Sequence, residues 1–318
     1  MGFNSILYLV IPCYNEEEIL KDSAKILKEK LNFLIKKNKI SKNSKILFVN
    51  DGSSDETWKI INDLSNLDEI FTGICLSKNA GHQNALLAGL TTARKYADIT
   101  ISLDADLQDD INAIDEMVEK YDEGFEIVYG VRKNREKDSF FKRKTAEMFY
   151  KVMNFLGANT IYNHADFRLM SKRAVSFLEK FEESNIFLRG MIPNIGLKHC
   201  CVYYVRQKRK AGVSKYPLNK MISFAINGIT SSSTKLIHLI FIGGFFSLVL
   251  CFLMGIYCVV SLITKKTVLG WASLITSIWA LGGMILISLG IIGEYVGKIY
   301  IETKRRPKYI ISENLIEK

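Results

Sequence analysis

The stretch Ile101-Ser102-Leu103-Asp104-Ala105-Asp106-Leu107-Gln108-Asp109-Asp110 decides the fold. An apolar run from Ile99 to Leu103 leads directly into two aspartates one residue apart. That is the pattern of a buried parallel strand whose carboxyl end carries carboxylates. In open α/β sheets the crevice beyond the strand carboxyl ends is where ligands sit. Two carboxylates crowded there repel each other unless positive charge lies beside them. Mg²⁺ or Mn²⁺, held by one or two carboxylates plus substrate phosphates, would supply it. The alternative is structural: a helix starts here, and Asp109 and Asp110 complement its dipole.

The segments upstream repeat the pattern. Ile6–Ile11 is a continuous apolar run that stops at Pro12, which has no N–H for a strand ladder. Asn15 follows as an expected N-cap, with Glu16, Glu17 and Glu18 in the first turn of an amphipathic helix reaching about Lys37. Ile46–Val49 is a second strand closing in Asn50-Asp51-Gly52-Ser53-Ser54-Asp55, where Gly52 allows a tight turn. Phe71–Leu76 is a third, followed by Ser77-Lys78-Asn79-Ala80-Gly81-His82-Gln83 and a helix to about Tyr96. Strands alternating with helices through short loops predict an α/β, mainly parallel, doubly wound sheet. Polar or acidic groups end every early strand, a repetition that a purely structural sheet does not need. No G-x-G-x-x-G follows the first strand, and no G-x-x-x-x-G-K-[ST] occurs anywhere, which argues against a dinucleotide oxidoreductase and a P-loop NTPase.

The 318 residues carry 43 Lys+Arg against 33 Asp+Glu, a formal net charge of +10. Mean hydropathy is nevertheless mildly positive, because the apolar residues are segregated. Residues 1–234 have the composition of a globular domain, and 235–318 are mostly apolar with basic flanks. Met1–Tyr8 lacks the basic start of a secretory signal. The six cysteines show no C-x-x-C spacing and are expected to be reduced packing residues. Leu236–Ile263 and Val268–Ile292 are each longer than the roughly 20 residues that span a bilayer. With only Thr264-Lys265-Lys266-Thr267 between them, they predict a transmembrane hairpin over 235–293. The basic segment 198–220 and Lys304, Arg305 and Arg306 would place both chain ends in the cytoplasm. An amphipathic helix is expected over 217–234 and a basic cytoplasmic tail over 294–318. Gly243-Gly244 and Gly282-Gly283 permit close helix approach, within the hairpin or in a homo-oligomer.

Four blocks now stand in order at strand ends: Val10-Ile11-Pro12-Cys13-Tyr14-Asn15-Glu16-Glu17, Asn50–Asp55, Leu76–Gln83 and Asp104-Ala105-Asp106-Leu107-Gln108. Together they resemble the inverting family-2 glycosyltransferases of GT-A fold. Among these they are similar to the polyprenyl-phosphate type, the bactoprenol glucosyltransferases and dolichol-phosphate mannose synthases. The resemblance implies a cytoplasmic GT-A domain over 1–216. It implies a nucleotide-sugar pocket of Pro12, Tyr14, Asn15, Glu16, Asp51, Lys78 and Asp104. Asp106 would hold the metal, with Asp104 as a possible second ligand. Asn163–Met170 matches the block closing the acceptor side, which makes Asp166 and Arg168 candidates for positioning sugar and pyrophosphate, or else an ion pair internal to their strand. Arg209-Lys210-Ala211-Gly212-Val213-Ser214-Lys215-Tyr216 looks like the family's R-x-x-G-x-S-K-Y signature. Gly212 would let backbone approach a phosphate to which Ser214 and Lys215 donate, with Arg209 and Arg132 nearby. A polybasic segment serving only anionic lipids is the alternative. The loop from Arg132 to Ser139 reads either as a solvated charge run or as a collar at anionic headgroups.

The implied reaction is metal-dependent transfer of one sugar, glucose or another hexose, with inversion. It runs from a nucleotide diphosphosugar, UDP being favoured, to undecaprenyl phosphate at the bacterial cytoplasmic membrane, for cell-envelope glycan modification. An ionised acceptor phosphate needs no general base, and none is assigned. No nucleic-acid partner is expected. The rivals are a membrane synthase extending a polysaccharide and a non-catalytic, membrane-tethered sugar-nucleotide binder.

Overall fold

In the computed structural model, residues 4–133, 164–183, 186–205, 235–264 and 270–317 are described. They fall into two compact units, one of 1–150, 160–216 and 306–318, the other of 151–159 and 217–305. The expected amphipathic helix over 217–234, the basic loop beyond residue 133, and Arg209, Gly212, Ser214 and Lys215 lie outside the described residues.

The first unit runs β1 (Leu7–Cys13), α1 (Leu20–Lys36), β2 (Lys45–Asn50), α2 (Thr57–Leu67), β3 (Phe71–Leu76), α3 (His82–Ala93) and β4 (Ile99–Ser102). It continues with α4 (Ala113–Asp122), β5 (Ile127–Arg132), β6 (His164–Ser171), α5 (Lys172–Leu178), the short α6 (Leu188–Met191), a 3₁₀ turn and β7 (His199–Tyr204). Its described strands form one sheet in the order β7-β5-β6-β4-β1-β2-β3-β8, the last strand being Ile311–Asn314.

Strand β1 is buried throughout, and its side chains alternate between two cores. Leu7, Leu9 and Ile11 join the cluster that contains Leu27 and Leu31 of α1 and Met117 of α4. Tyr8 and Val10 join the cluster containing Leu86 and Leu90 of α3 and Val175 of α5. Helices therefore cover both faces of the sheet, which is why its strands read as unbroken apolar runs. The buried apolar positions of α1, Leu20, Ala24, Leu27, Leu31 and Leu34, step by four and three residues, the spacing of one helix face. Helix α3 sits so close to the sheet that a Cβ at Gly89 would collide with Val10 and Val49.

The expectation of a mainly parallel sheet holds for β4-β1-β2-β3. Beyond β4 the sheet is mixed, because β6 runs antiparallel to both β4 and β5. This reversal positions the site. With Ser102 opposite Arg168, the beginning of β6 lies at the carboxyl end of β4, beside the Asp104–Asp106 loop.

The expected tail over 294–318 is also corrected. Residues 306–317 belong to the first unit, and Ile311–Asn314 forms a strand antiparallel to β3. Hydrogen bonds from Trp58 Nε1 to Glu313 (3.0 Å), from Lys308 Nζ to the Phe181 carbonyl (2.7 Å) and from Tyr96 to Glu317 (3.0 Å) fasten it. An edge strand offers a row of unpaired backbone groups, and this segment occupies them.

The second unit contains α7 (Lys235–Ile263) and α8 (Trp271–Thr303). Ser247 Oγ of α7 donates to Met284 Sδ of α8 at 3.4 Å. Large apolar side chains such as Phe246, Phe252, Ile285, Leu286 and Ile287 are exposed. Both helices lie where spans are expected, but α8 starts later than 268 and ends later than 292. Among the described residues, one stretch, Ala280–Thr303 with mean hydropathy 1.6, is long and apolar enough to cross a membrane.

Candidate active site

The carboxyl ends of β1, β2 and β4 open into a cleft of about 250 Å³. Its walls come from Pro12 and Cys13 at the end of β1, Tyr14 and Glu16 after it, Asp51 after β2, Asn79, Gly81 and His82 before and at the start of α3, and Asp104, Ala105 and Asp106 after β4. Of the expected nucleotide-sugar residues, Pro12, Tyr14, Glu16, Asp51 and Asp104 meet here. Tyr14 is 46% exposed, so its ring is available at the rim.

Asn15 and Lys78 are placed otherwise. Asn15 is not the N-cap of α1, which starts at Leu20. It sits in the left-handed region at φ 53°, which asparagine tolerates better than most residues. Its Oδ1 accepts from Ser54 N (2.9 Å) while its own N–H donates to Ser53 Oγ (3.0 Å). Glu16 N–H donates to Thr57 Oγ1 at 3.0 Å, so the loops after β1 and β2 are stitched into one wall. Lys78 is exposed and is not among the residues lining the cleft.

Asp51 is 3% exposed and accepts from the backbone N–H groups of Ala80 (2.7 Å) and Gly81 (3.0 Å). Burial raises its pKa, against the opposing effect of those bonds and of His82. Gly52 has φ +63°, and a Cβ there would lie 2.5 Å from Asn79 N. The turn after β2 therefore sets where the loop carrying Gly81 and His82 runs.

After β4 the chain turns tightly. Leu107 N–H donates to the Asp104 carbonyl at 3.2 Å, and Leu107 takes φ 46°. A leucine in this region costs about 1–2 kcal/mol, and such strain clusters at functional sites. The turn lets Gln108 hold Asp106 through its N–H (3.3 Å) and Nε2 (2.9 Å). Among the described residues no three His, Cys, Asp or Glu side chains form a metal cage. A hard cation that takes most of its ligands from phosphate and water needs only one or two carboxylates. The Asp106 carboxylate, half-buried and oriented by Gln108, fits that donor set.

His82 stands between two carboxylates, its Nε2 3.8 Å from Asp104 Oδ1 and 3.6 Å from Asp166 Oδ2. Burial would lower its pKa, but Asp166 and Asp104 outweigh it and the net shift is upward. Asp104 is shifted upward by burial and by the neighbouring charges of Asp166, Asp109 and Asp106, with His82 opposing.

Asp166 and Arg168 are an ion pair within β6, and the pair extends further. Asp166 also accepts from Arg189 Nε (3.2 Å) and Nη2 (3.0 Å), a two-pronged contact from α6. Burial pushes the Asp166 pKa up, but Arg189, His82 and Arg168 together hold it well below the usual carboxylate range. The Arg168 side chain is 0% exposed. It therefore acts as a buried counter-charge beneath Asp166, not as a group reaching a ligand.

Arg132, expected near lipid phosphate, donates to Asp109 Oδ1 through Nε (3.2 Å) and Nη2 (3.0 Å). Tyr204 OH donates to the same oxygen at 2.6 Å. This clasp joins the turn after β4 to the ends of β5 and β7. Sequence reasoning assigned no role to His82 or Arg189. His82 carries a local signal, a polar residue directly after a loop glycine at a helix start. Arg189 carries none, since only the fold brings α6 to β6.

The sequence profile of Glycosyl transferase family 2 matches residues 8–178. Over 98% of the chain and 92% of the relative, the sequence is 52% identical to the uncharacterized glycosyltransferase YkoT of Bacillus subtilis (strain 168). It is 39% identical, over 96% of the chain and 97% of the relative, to the SfII prophage-derived bactoprenol glucosyl transferase of Shigella flexneri. Among solved structures, glucosyl-3-phosphoglycerate synthase from Mycobacterium tuberculosis aligns over 72% of this chain and 80% of its own, with 13% identity and a TM-score of 0.47.

Proposed function

Because the chain belongs to glycosyl transferase family 2, we propose that it moves one hexose, glucose by preference, from a UDP-linked donor to a polyprenyl phosphate with inversion. The observation that carries this reading is the charge layout of the crevice. An acidic wall of Glu16, Asp51, Asp104 and Asp106 stands beside a group in which two guanidiniums share Asp166. Such a site suits a metal-bound diphosphate on one side and a second anion on the other. The likeness to relatives named bactoprenol glucosyl transferase, which runs nearly the full length of both chains, supports a lipid carrier as that anion's source.

Tyr14 offers its ring to the base at the rim, and Asp51 fixes the loop that carries His82. Asp104 would face the ribose or sugar, and Asp106 would hold the metal. Mg²⁺ or Mn²⁺ would neutralise charge developing on the departing diphosphate. An acceptor phosphate is already ionised at neutral pH, so no proton has to be removed before attack. Asp166 fits that account, because its oxygens are engaged by guanidiniums and its pKa is depressed, both wrong for a general base. Catalysis then rests on holding donor and acceptor in line.

Chain connectivity supports a membrane hairpin. The first unit is left after residue 216 and re-entered at 306, and β8 pairs with β3. If Ala280–Thr303 crosses a bilayer, a second crossing has to bring the chain back, and α7 is long enough to be it. The enzyme then lies at the cytoplasmic membrane with its catalytic unit and both termini inside.

The test is transfer by the full chain in detergent. It offers labelled nucleotide sugars with undecaprenyl phosphate, with and without EDTA, beside Asp106→Asn. A chloroform-soluble product that needs metal and Asp106 is expected. Undiminished turnover by Asp106→Asn would refute the metal role, and donor binding without lipid product would refute the acceptor.

A further inference from the structure

Ser23 lies outside every block that marks the family resemblance, on the buried face of α1. A serine inside a helix usually turns its hydroxyl to solvent or back to the carbonyl four residues earlier. Ser23 does neither. Its Oγ donates at 2.7 Å to the carbonyl of Ala105, the residue between Asp104 and Asp106. The partners are 82 positions apart in the chain, and each is 5% exposed.

This bond reaches the turn after β4 from outside it. Strand β4 ends at Ser102, so the Ala105 carbonyl has no ladder partner. The Asp104 carbonyl accepts from Leu107 N–H within the turn, and Gln108 holds the Asp106 carboxylate. Among the described residues, the Ala105 carbonyl finds its donor in Ser23. The Ala105 side chain joins the core cluster that contains Leu20, Ala24 and Leu27 of α1, while Asp104 and Asp106 on either side of it line the cleft. The peptide unit from Ala105 to Asp106 is planar, so its carbonyl oxygen and the Asp106 Cα move as one body. Fixing that oxygen against α1 fixes the direction in which Asp106 leaves the chain. Gln108 orients the carboxylate within the turn, and Ser23 orients the turn against the helix that covers the sheet. The left-handed Leu107, at φ 46°, is a conformation that persists only when its surroundings hold it.

We propose that Ser23 is a positioning residue for the metal. It pins the Ala105–Asp106 peptide so that Asp106 presents its carboxylate to a divalent cation carried with the donor diphosphate. This rests on the reading of Asp106 as the metal ligand, and it assigns the support behind that ligand. Groups that orient a metal ligand change metal affinity by about 10- to 100-fold when removed. Helix α1 also follows closely on the loop of Tyr14 and Glu16, so one rigid element relates the nucleotide wall of the cleft to its metal loop.

The experiment reads Mn²⁺ binding by the full chain in detergent from the electron paramagnetic resonance signal of the free ion. UDP is present in one arm and GDP in another, with no acceptor and no turnover. Ser23→Ala is expected to raise the Mn²⁺ dissociation constant by about 10-fold. Ser23→Thr keeps the hydroxyl and should recover most of that loss. Ser65→Ala removes a hydroxyl that bonds the Asn62 carbonyl within α2, and should leave the constant unchanged. Alanine is a better helix former than serine, so Ser23→Ala keeps α1. Thermal unfolding without metal is the structural control. A Ser23→Ala protein that melts below wild type but binds Mn²⁺ equally would reduce the bond to packing and overturn the proposal. Asp106→Asn, run alongside, separates this assignment from the reading beneath it. Loss of binding in Asp106→Asn with undiminished binding in Ser23→Ala would overturn the proposal alone. Undiminished binding in Asp106→Asn, or no Mn²⁺ uptake by wild type with either nucleotide, would overturn the metal reading and the assignment with it.

Discussion

Removing Asp166 should unfold more than it disables. Arg168 is 1% exposed, and among the described residues its guanidinium donates through Nη2 to Asp166 Oδ1. Its Nε and Nη1 have no partner among the described residues. Arg168, with its side chain 0% exposed, cannot reach solvent when the carboxylate goes. Asp166→Ala therefore leaves a buried guanidinium without its counter-charge, a change that costs about 3–5 kcal/mol. At about 2–4 °C per kcal/mol for a unit of this size, the melting temperature should fall by about 6–20 °C. Fluorescence of Trp58, which packs on the core of the first unit, reports the transition. The cause is checked by Asp166→Ala/Arg168→Met, which removes both charges and should recover most of the loss. The pH dependence has a definite sign. The folded pKa of Asp166 lies well below the usual carboxylate value, so its contribution is fully present above the unfolded pKa of about 3.9. The gap between wild type and Asp166→Ala should hold from pH 7 to about pH 5 and narrow only as pH falls through the folded value. A drop under about 3 °C, or a double variant less stable than Asp166→Ala, would refute the reasoning.

Two further outcomes follow from the frame around the site. Gly52→Ala puts a side chain at φ +63° and against the backbone of Lys78 and Asn79, so it should cost about 1–3 kcal/mol. It should also lower kcat/KM by about 10²-fold through the displaced His82 loop, and steady-state rates with thermal unfolding check both. Deletion of residues 309–318 removes β8 and the buried Leu315 and bares the β3 edge. The expected result is a loss of at least about 2–5 kcal/mol and added self-association visible by size exclusion, whereas an elution profile unchanged from wild type would show that the strand is dispensable.

The fold was legible where apolar runs end in turn residues. Leu7–Cys13, Lys45–Asn50 and Phe71–Leu76 are strands because both of their faces are buried, so the period-2 signal collapses into continuous hydrophobicity. Strand direction beyond β4 was not legible. Nothing in His164–Ser171 distinguishes a parallel from an antiparallel partner, since that depends on how residues between β5 and β6 return the chain. The last strand was hidden for another reason. Ile311-Ser312-Glu313-Asn314 is short, half exposed and preceded by basic residues, so it reads as tail until the open edge of β3 is known.

The candidate site divides along the same line. Pro12, Tyr14, Glu16, Asp51, Asp104 and Asp106 were readable because each lies at or just beyond a strand's carboxyl end, and parallel strands deliver those ends to one crevice. Asp166 was found through its block, but its work was not. In sequence an aspartate two residues from an arginine looks like a local pair. In space that pair is only the buried half of a larger group. Arg189 lies more than twenty residues downstream and reaches Asp166 only because α5, α6 and the 3₁₀ turn fold back over α3. A charge that acts through a second charge leaves no pattern in the chain, because its spacing is set by tertiary packing and not by helix or strand periodicity. The acidic wall of the donor half is thus written in the sequence. The guanidiniums that hold Asp166 depend on the antiparallel placement of β6, and become readable only when that strand is placed.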